Sequence, residues 1–201
     1  MRLFRPGIIA KLLYPEAIFR LETSRSMLCL TFDDGPDPES TPALLDILDR
    51  YGIKAMFFCC GSKAEANYGI MSRIISDGHL IGNHGFSHLD GWKTPDKEYI
   101  DDVNRAAPST SEIFFRPPFG RLSRQQYLIL KEKYRIIFWD LMPFDFDFSF
   151  GGEKTLAILK KRIRPGSIIV LHDMNNLFLK ECFSEFLDFA FSDGYRFILP
   201  E

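Results

Sequence analysis

Short apolar runs alternating with longer segments of helical period constrain the fold of this chain more than any other feature of its sequence. Seven runs read as strands: MLCLTF from Met27, KAMFFC from Lys54, HLIGN from His79, IFFRP from Ile113, RIIFW from Arg135, SIIVLH from Ser167 and RFIL from Arg196. Strands separated by helical stretches argue for βα units and a largely parallel sheet. Two of the helices are clear. One starts at Thr41, read as a capping residue, with Pro42 at the first helical position, where its missing N–H costs nothing; it buries Leu44, Leu45, Ile47 and Leu48 and ends at Gly52. The other runs from about Leu179 to Ser192, with Phe183, Phe186, Leu187, Ala190 and Phe191 on one stripe and Gly194 placed to stop it. That stripe reads as core. No repeat, low-complexity tract or Ser/Gly-rich linker interrupts the series, and 201 residues suit one hydrophobic core. The expectation is therefore a single α/β domain over residues 27–201, with residues 1–26 as a lead-in segment packing on it.

Composition narrows the function classes. A formal net charge of −2 lacks the basic footprint of a nucleic-acid binder, so no nucleic-acid partner is expected. Twenty phenylalanines suit a Phe-rich core or faces for flat ligands, and core is the expected use of most. Cys29, Cys59, Cys60 and Cys182 lack CxxC spacing, and three of them sit in apolar runs, which suggests free buried thiols and a reducing compartment. In the N-terminal MRLFRPGIIAKLLYPEAIF, Pro6, Gly7, Lys11 and Pro15 interrupt any signal-like apolar stretch, so a cytoplasmic location is expected. No apolar run is long enough to span a bilayer. Ile8, Ile9, Leu12 and Leu13 could lie on a membrane surface, but packing under the main domain is the preferred reading.

The polar residues that could do chemistry sit at the C-terminal ends of the expected strands. Asp33 and Asp34 follow the first, His84 and His88 the third, Arg116 the fourth, Asp140 and Asp145 the fifth, and His172 with Asp173 the sixth. In α/β barrels these ends share one rim, so groups scattered along the sequence converge. Two imidazoles four residues apart in NHGFSH, on one helical turn or a compact loop, suit a metal pair, and a carboxylate would complete a set that leaves positions open for water and substrate. Of the adjacent Asp33 and Asp34, turned apart by Gly35 and Pro36, one can bind metal while the other serves as base. Arg116, inside the apolar FFRPPFG, is placed to hold a carboxylate bidentately, and His172 projects from the end of a buried strand.

With these motifs in view, TFDDGPD from Thr31, NHGFSH from Asn83, FRPPFG from Phe115 and LHD from Leu171, in that order, the chain resembles the polysaccharide deacetylases, the NodB-homology domain of carbohydrate esterase family 4. The resemblance spans roughly Leu28 to Leu199 and implies a distorted (β/α)7 TIM-like barrel. It implies Asp33 as general base, Asp34, His84 and His88 as ligands of a metal, usually Zn2+, and His172 as general acid. Arg116 would position Asp33. The backbone near Phe119 would help stabilise the oxyanion, with Leu171 lining the acyl pocket and Trp139 on the substrate side. The substrate implied is an N-acetylated glycan or amino sugar. Where the family commonly has Asp-x-x-Asp-Trp, this chain reads Met142, Asp145 and Phe146 within WDLMPFDFDF, so Asp140 or Asp145 would have to reach His172 from a different backbone position. Deacylation or deformylation of a lipid-linked or small amino sugar, and a catalytically idle sugar-binding domain using the aromatics of FDFDFSF, are the rival readings.

Overall fold

A computed structural model of the protein describes residues 4–23, 25–176 and 178–200. The seven strands form where the apolar runs lie: β1 Met27–Asp33, β2 Met56–Cys59, β3 Leu80–Asn83, β4 Phe114–Phe115, β5 Arg135–Ile136, β6 Ile168–His172 and β7 Arg196–Phe197. Every pairing is parallel, in the order β5-β4-β3-β2-β1-β6, with β7 against Met27 and Leu28 of β1. The helices are α1 Ile8–Leu13, α2 Thr41–Arg50, α3 Gly61–Ala66, α4 Tyr68–Ser76, α5 Asp96–Ala106, α6 Arg124–Leu130, α7 Gly152–Arg162 and α8 Phe183–Ser192.

The period of two along each strand sorts the layers. Leu28, Leu30 and Phe32 of β1, with Ile169 and Leu171 of β6, join the cluster packed against α2 and α8. Cys29 and Ile168 belong to a separate cluster with Met56, Phe58, Phe114 and Ile137. Continuing the row that starts at Cys29, Thr31 and Asp33 become polar towards the C-terminal end of β1, which is where the site forms. All four cysteines are free and buried.

The two outer strands of the curled sheet do not pair directly. Leu141 bridges to Ile169, while the lead-in segment bridges from Ile18 to Ile137 and from Arg20 to Ser167. Tyr14 and Phe19 are buried and both stack on Phe138, with centroids 5.1 and 4.9 Å away. Helix α1 behaves differently: it has no buried residue, and Ile8, Ile9, Leu12 and Leu13 point into solvent, which corrects the expectation that they pack under the domain.

Two helix details also differ from expectation. Thr41 is the first helical residue and not the cap; its hydroxyl accepts from the Asp37 N–H and donates to Asp173 at 2.6 Å. The segment expected to be helical from Leu179 opens with a π-helical turn, Phe178–Cys182, and becomes α-helical at Phe183. The Asn176 side chain starts that turn by accepting from the Leu179 N–H.

Candidate active site and metal centre

Parallel register puts the two sides of the site level with each other, since Asp33 of β1 is the direct partner of His172 of β6. Between and above them lies a cavity of about 380 Å³, walled by Asp33, Asp34, His84, His88 and His172, with Pro117, Phe119, Gly120, Arg121, Trp139, Met142, Phe146 and Met174 completing it.

Asp34 leaves the strand in the left-handed region, φ 72°, a conformation that Asp tolerates better than most residues, and this turns its carboxylate away from Asp33. Asp34 Oδ1 stands 3.3 Å from His84 Nε2 and 3.0 Å from His88 Nε2. One ligand atom from each of the three residues lies within 4.8 Å of the others, and this is the group of metal-ligating side chains found among the described residues. His84 Nδ1 is 2.7 Å from the Arg116 carbonyl, which only accepts, so the proton of a neutral ring sits on Nδ1 and the Nε2 lone pair faces the carboxylate. Acceptors directed at one another need a cation between them, and two imidazole nitrogens with one carboxylate oxygen suit a hydrolytic metal site with open positions. Burial opposes the charged form of Asp34, yet donation and positive charge from His84 and His88 in their protonated forms outweigh it and hold the carboxyl below the usual range.

The two histidines sit in a loop, not on a helix. Asn83 Oδ1 accepts from the Gly85 N–H at 2.8 Å, and Asp102 of α5 accepts from the Phe86 and Ser87 N–H groups at 2.8 and 3.1 Å. Gly85 has φ +73°, and a Cβ there would stand 3.0 Å from Asp102 Oδ2. This pins His84 from one side, while His88, at φ 56°, packs its ring edge against Phe119 at 4.7 Å.

Arg116 is fully buried and spends its guanidinium on four partners. Nη1 donates to Asp33 Oδ1 and to Thr31 Oγ1, both at 2.6 Å; Nε donates to the Ile137 carbonyl and Nη2 to that of Phe138. The contact with Asp33 uses one carboxylate oxygen and is not the bidentate fork expected, because the other donors hold backbone carbonyls. The second Asp33 oxygen is thereby left to the cavity. Since the Arg116 carbonyl also holds His84, this one residue orients both the candidate base and a candidate ligand.

On the opposite side, Asp145 grips His172 twice, Oδ2 accepting from its backbone N–H at 2.7 Å and Oδ1 lying 2.9 Å from Nδ1. Asn176 adds a bond to Asp145 at 3.3 Å. Burial favours the neutral ring of His172, but the Asp145 carboxylate, aided by Asp33 and Asp34, overrides it and raises the pKa to about 9. Met142 therefore does not leave His172 without a carboxylate. Asp140 does not take part: it is bonded by Arg5, Arg164 and Ser167. Phe146, standing where Trp is usual, packs its ring against His172 at 4.6 Å.

Among the candidate substrate contacts, Phe119 lies on the rim, 57% exposed at φ 58°, and Trp139 lines the cavity floor so closely that a Cβ on Gly120 would meet it at 2.3 Å. Trp139 Nε1 is buried without a hydrogen-bond partner among the described residues. Leu171 is not part of the wall. Next to the inward-facing His172 on one strand, it must face outward, and it is fully buried against the helices. Met142, Phe146 and Met174 supply apolar wall instead. Asp102 is a residue the motifs did not reveal, while Thr31 and Asp173 stand inside motifs that gave them no role. Asp173 is buried, accepts from Ser40 at 2.7 Å and Thr41 at 2.6 Å, and lies against Gly35, where any Cβ would clash with its carboxylate at 2.3 Å. Its pKa rises to about 6, through burial, against those two hydroxyl donors.

The sequence profile of the polysaccharide deacetylases matches residues 20–134, more than half of the chain. The chain belongs to that family. A peptidoglycan-N-acetylglucosamine deacetylase of Bacillus cereus is 35% identical over 156 residues, which cover 74% of this chain and 56% of the relative, so the chain spans little more than half that protein's length. A peptidoglycan-N-acetylmuramic acid deacetylase of Bacillus subtilis is 29% identical over 198 residues, covering 90% of this chain and 73% of the other. Among solved structures, a peptidoglycan N-acetylglucosamine deacetylase superposes with a TM-score of 0.82 at 28% identity, covering 91% of this chain and 90% of that one. The curled parallel sheet is thus the (β/α)7 barrel of this family, in a single domain.

Proposed function

We propose that this chain is a metal-dependent hydrolase that removes N-acetyl groups from amino sugars of a glycan, with zinc held by Asp34, His84 and His88. The observation that carries this reading is the placement of Asp33 and His172 at matched positions on adjacent strands, flanking the three converging ligand atoms in one cavity. Family membership and the deacetylase relatives support it.

A divalent ion in that position supplies Lewis acidity towards the amide carbonyl and acidifies water. The protein's own groups handle the protons. Asp33, steadied by Arg116, takes the proton of the attacking water through its free oxygen. His172, kept protonated by Asp145, gives a proton to the departing amine as the C–N bond breaks. The rim around Phe119 offers its backbone N–H to the carbonyl oxygen as it gains charge. Acetate and a free amino sugar are the products. Apolar side chains of Met142, Phe146, Trp139 and Met174 exclude bulk water around the acyl group.

Mass spectrometry of N-acetylated glycan oligomers, small amino sugars and acylated lipid-linked sugars after incubation with zinc-loaded protein tests the reading. Loss of an acetyl group from the oligomers is expected. Metal binding with no loss from any substrate would reject catalysis, and reaction confined to the lipid-linked or small sugars would reassign the substrate.

A further inference from the structure

Helix α1 carries a surface that the deacetylase site does not use. Ile8, Ile9, Leu12 and Leu13 are 75, 69, 73 and 55% exposed. On a helix these four positions share one arc of roughly 140°, with Ala10 on the far side against the core. The chain following the helix is fixed: the Tyr14 hydroxyl donates to the Leu122 carbonyl at 2.7 Å, Ile18 bonds to Ile136 of β5, and Leu21 bonds to Gly166 just before β6. The apolar face is therefore held out at a defined place on the domain.

Beside it runs a groove of about 440 Å³ lined by Lys11, Arg20 and Arg164, with Glu22 the one carboxylate among its residues. Arg5 and Arg162 extend the basic surface. Arg5 has its pKa lowered by burial, against Asp140 and reinforced by Arg164, Arg162 and Arg20, so these four guanidinium groups share one region. Asp140 is itself buried beneath Arg5 and Arg164. In a chain of net charge −2, such local concentration of positive charge is not a by-product of composition.

We propose that α1 and the adjacent basic groove form a docking surface for an anionic lipid bilayer, with Ile8, Ile9, Leu12 and Leu13 entering the interface and Lys11, Arg20 and Arg162 facing the phosphate headgroups. Apolar insertion and attraction to anionic lipid act in the same direction here, as in interfacial helices generally. Among the described residues no helix is long and apolar enough to cross a membrane, so the contact is interfacial. A second copy of the chain fits the surface less well. A twofold contact through this face would set the same lysine and arginines against each other, and like charges across an interface oppose association.

Co-sedimentation of the full chain with vesicles of phosphatidylcholine alone, and of an equimolar mixture with phosphatidylglycerol, tests the proposal. Binding to the anionic vesicles is expected, weakened by salt, with little binding to the neutral ones. The double variant Ile9→Ser/Leu13→Ser should bind at least about tenfold more weakly through lost insertion. Lys11→Glu/Arg20→Glu should weaken binding by about tenfold or more through lost attraction. These side chains are exposed, so the melting temperature and acetate release from a soluble oligomer should match the wild-type chain. Failure of the wild-type chain to bind anionic vesicles, or unchanged binding by both double variants, would overturn the proposal. So would a dimer in solution that dissociates on Ile9→Ser/Leu13→Ser, which would assign the face to a second copy.

Discussion

The two halves of the candidate catalytic cavity are built on different principles. The Asp33 half is made from strand ends and a fully buried arginine that reaches two side chains of β1 and two carbonyls just after β5 at once. The His172 half has its histidine on a strand, but its carboxylate, Asp145, arrives from the irregular segment after Leu141, where Phe144 adopts φ 64°. The first half has almost no freedom to substitute one residue for another. In the second, the carboxylate comes from a loop, and Asp145 holds His172 at two points although position 142 is a methionine.

Breaking the rigid half should have the largest effect. Arg116→Met leaves the Asp33 carboxylate buried without its counter-charge, and removal of one partner of a buried pair costs about 3–5 kcal/mol. Urea unfolding should show that loss, together with loss of acetate release. Asp33→Asn, which keeps the shape and the ligands, should lower kcat by about 10²–10⁴-fold, with zinc content by mass spectrometry unchanged. A variant that keeps full activity would remove Asp33 from the base role.

The His172 half is read best through pH. In its proposed role as acid His172 must be protonated, so kcat should hold below a pH of about 9 and decline as pH rises through that value. Asp145→Asn removes the chief stabiliser of the imidazolium, so the alkaline limb should move to lower pH, with a loss of roughly tenfold or more at pH 8 and a smaller loss under acidic conditions. An unmoved limb would mean that Asp145 does not tune His172. The smallest effect is expected for Met142→Asp: because His172 already has its carboxylate, kcat should stay within about threefold of wild type. A large gain would show that the grip of Asp145 is an incomplete substitute.

The contrast also explains what the sequence made legible. Asp33, Asp34, His84, Arg116 and His172 could be located because apolar runs mark strands and C-terminal strand ends share a rim, so position along the chain translates into position in space. Leu171 was misplaced by following the motif and not the alternation of the strand, which sends neighbours of an inward His172 outward. Asp102 carries no such mark. It lies on the exposed-to-buried margin of α5, and only the folded loop shows that its carboxylate holds the backbone of the His84–His88 segment. The route of Asp145 to His172 depends on loop dihedrals that periodicity does not encode, and the exposure of α1 depends on how the lead-in segment spans the gap between β5 and β6, a tertiary outcome.

Titration of zinc into metal-stripped protein, with acetate release from an N-acetylated glycan oligomer followed at each addition, tests the central claim most directly. The rate should rise in proportion to added zinc, level off at one equivalent, and fail to rise in His84→Gln, which should also lose tight zinc binding. A rate independent of zinc, or full activity in His84→Gln, would contradict the assignment of Asp34, His84 and His88 as the site on which the reaction depends.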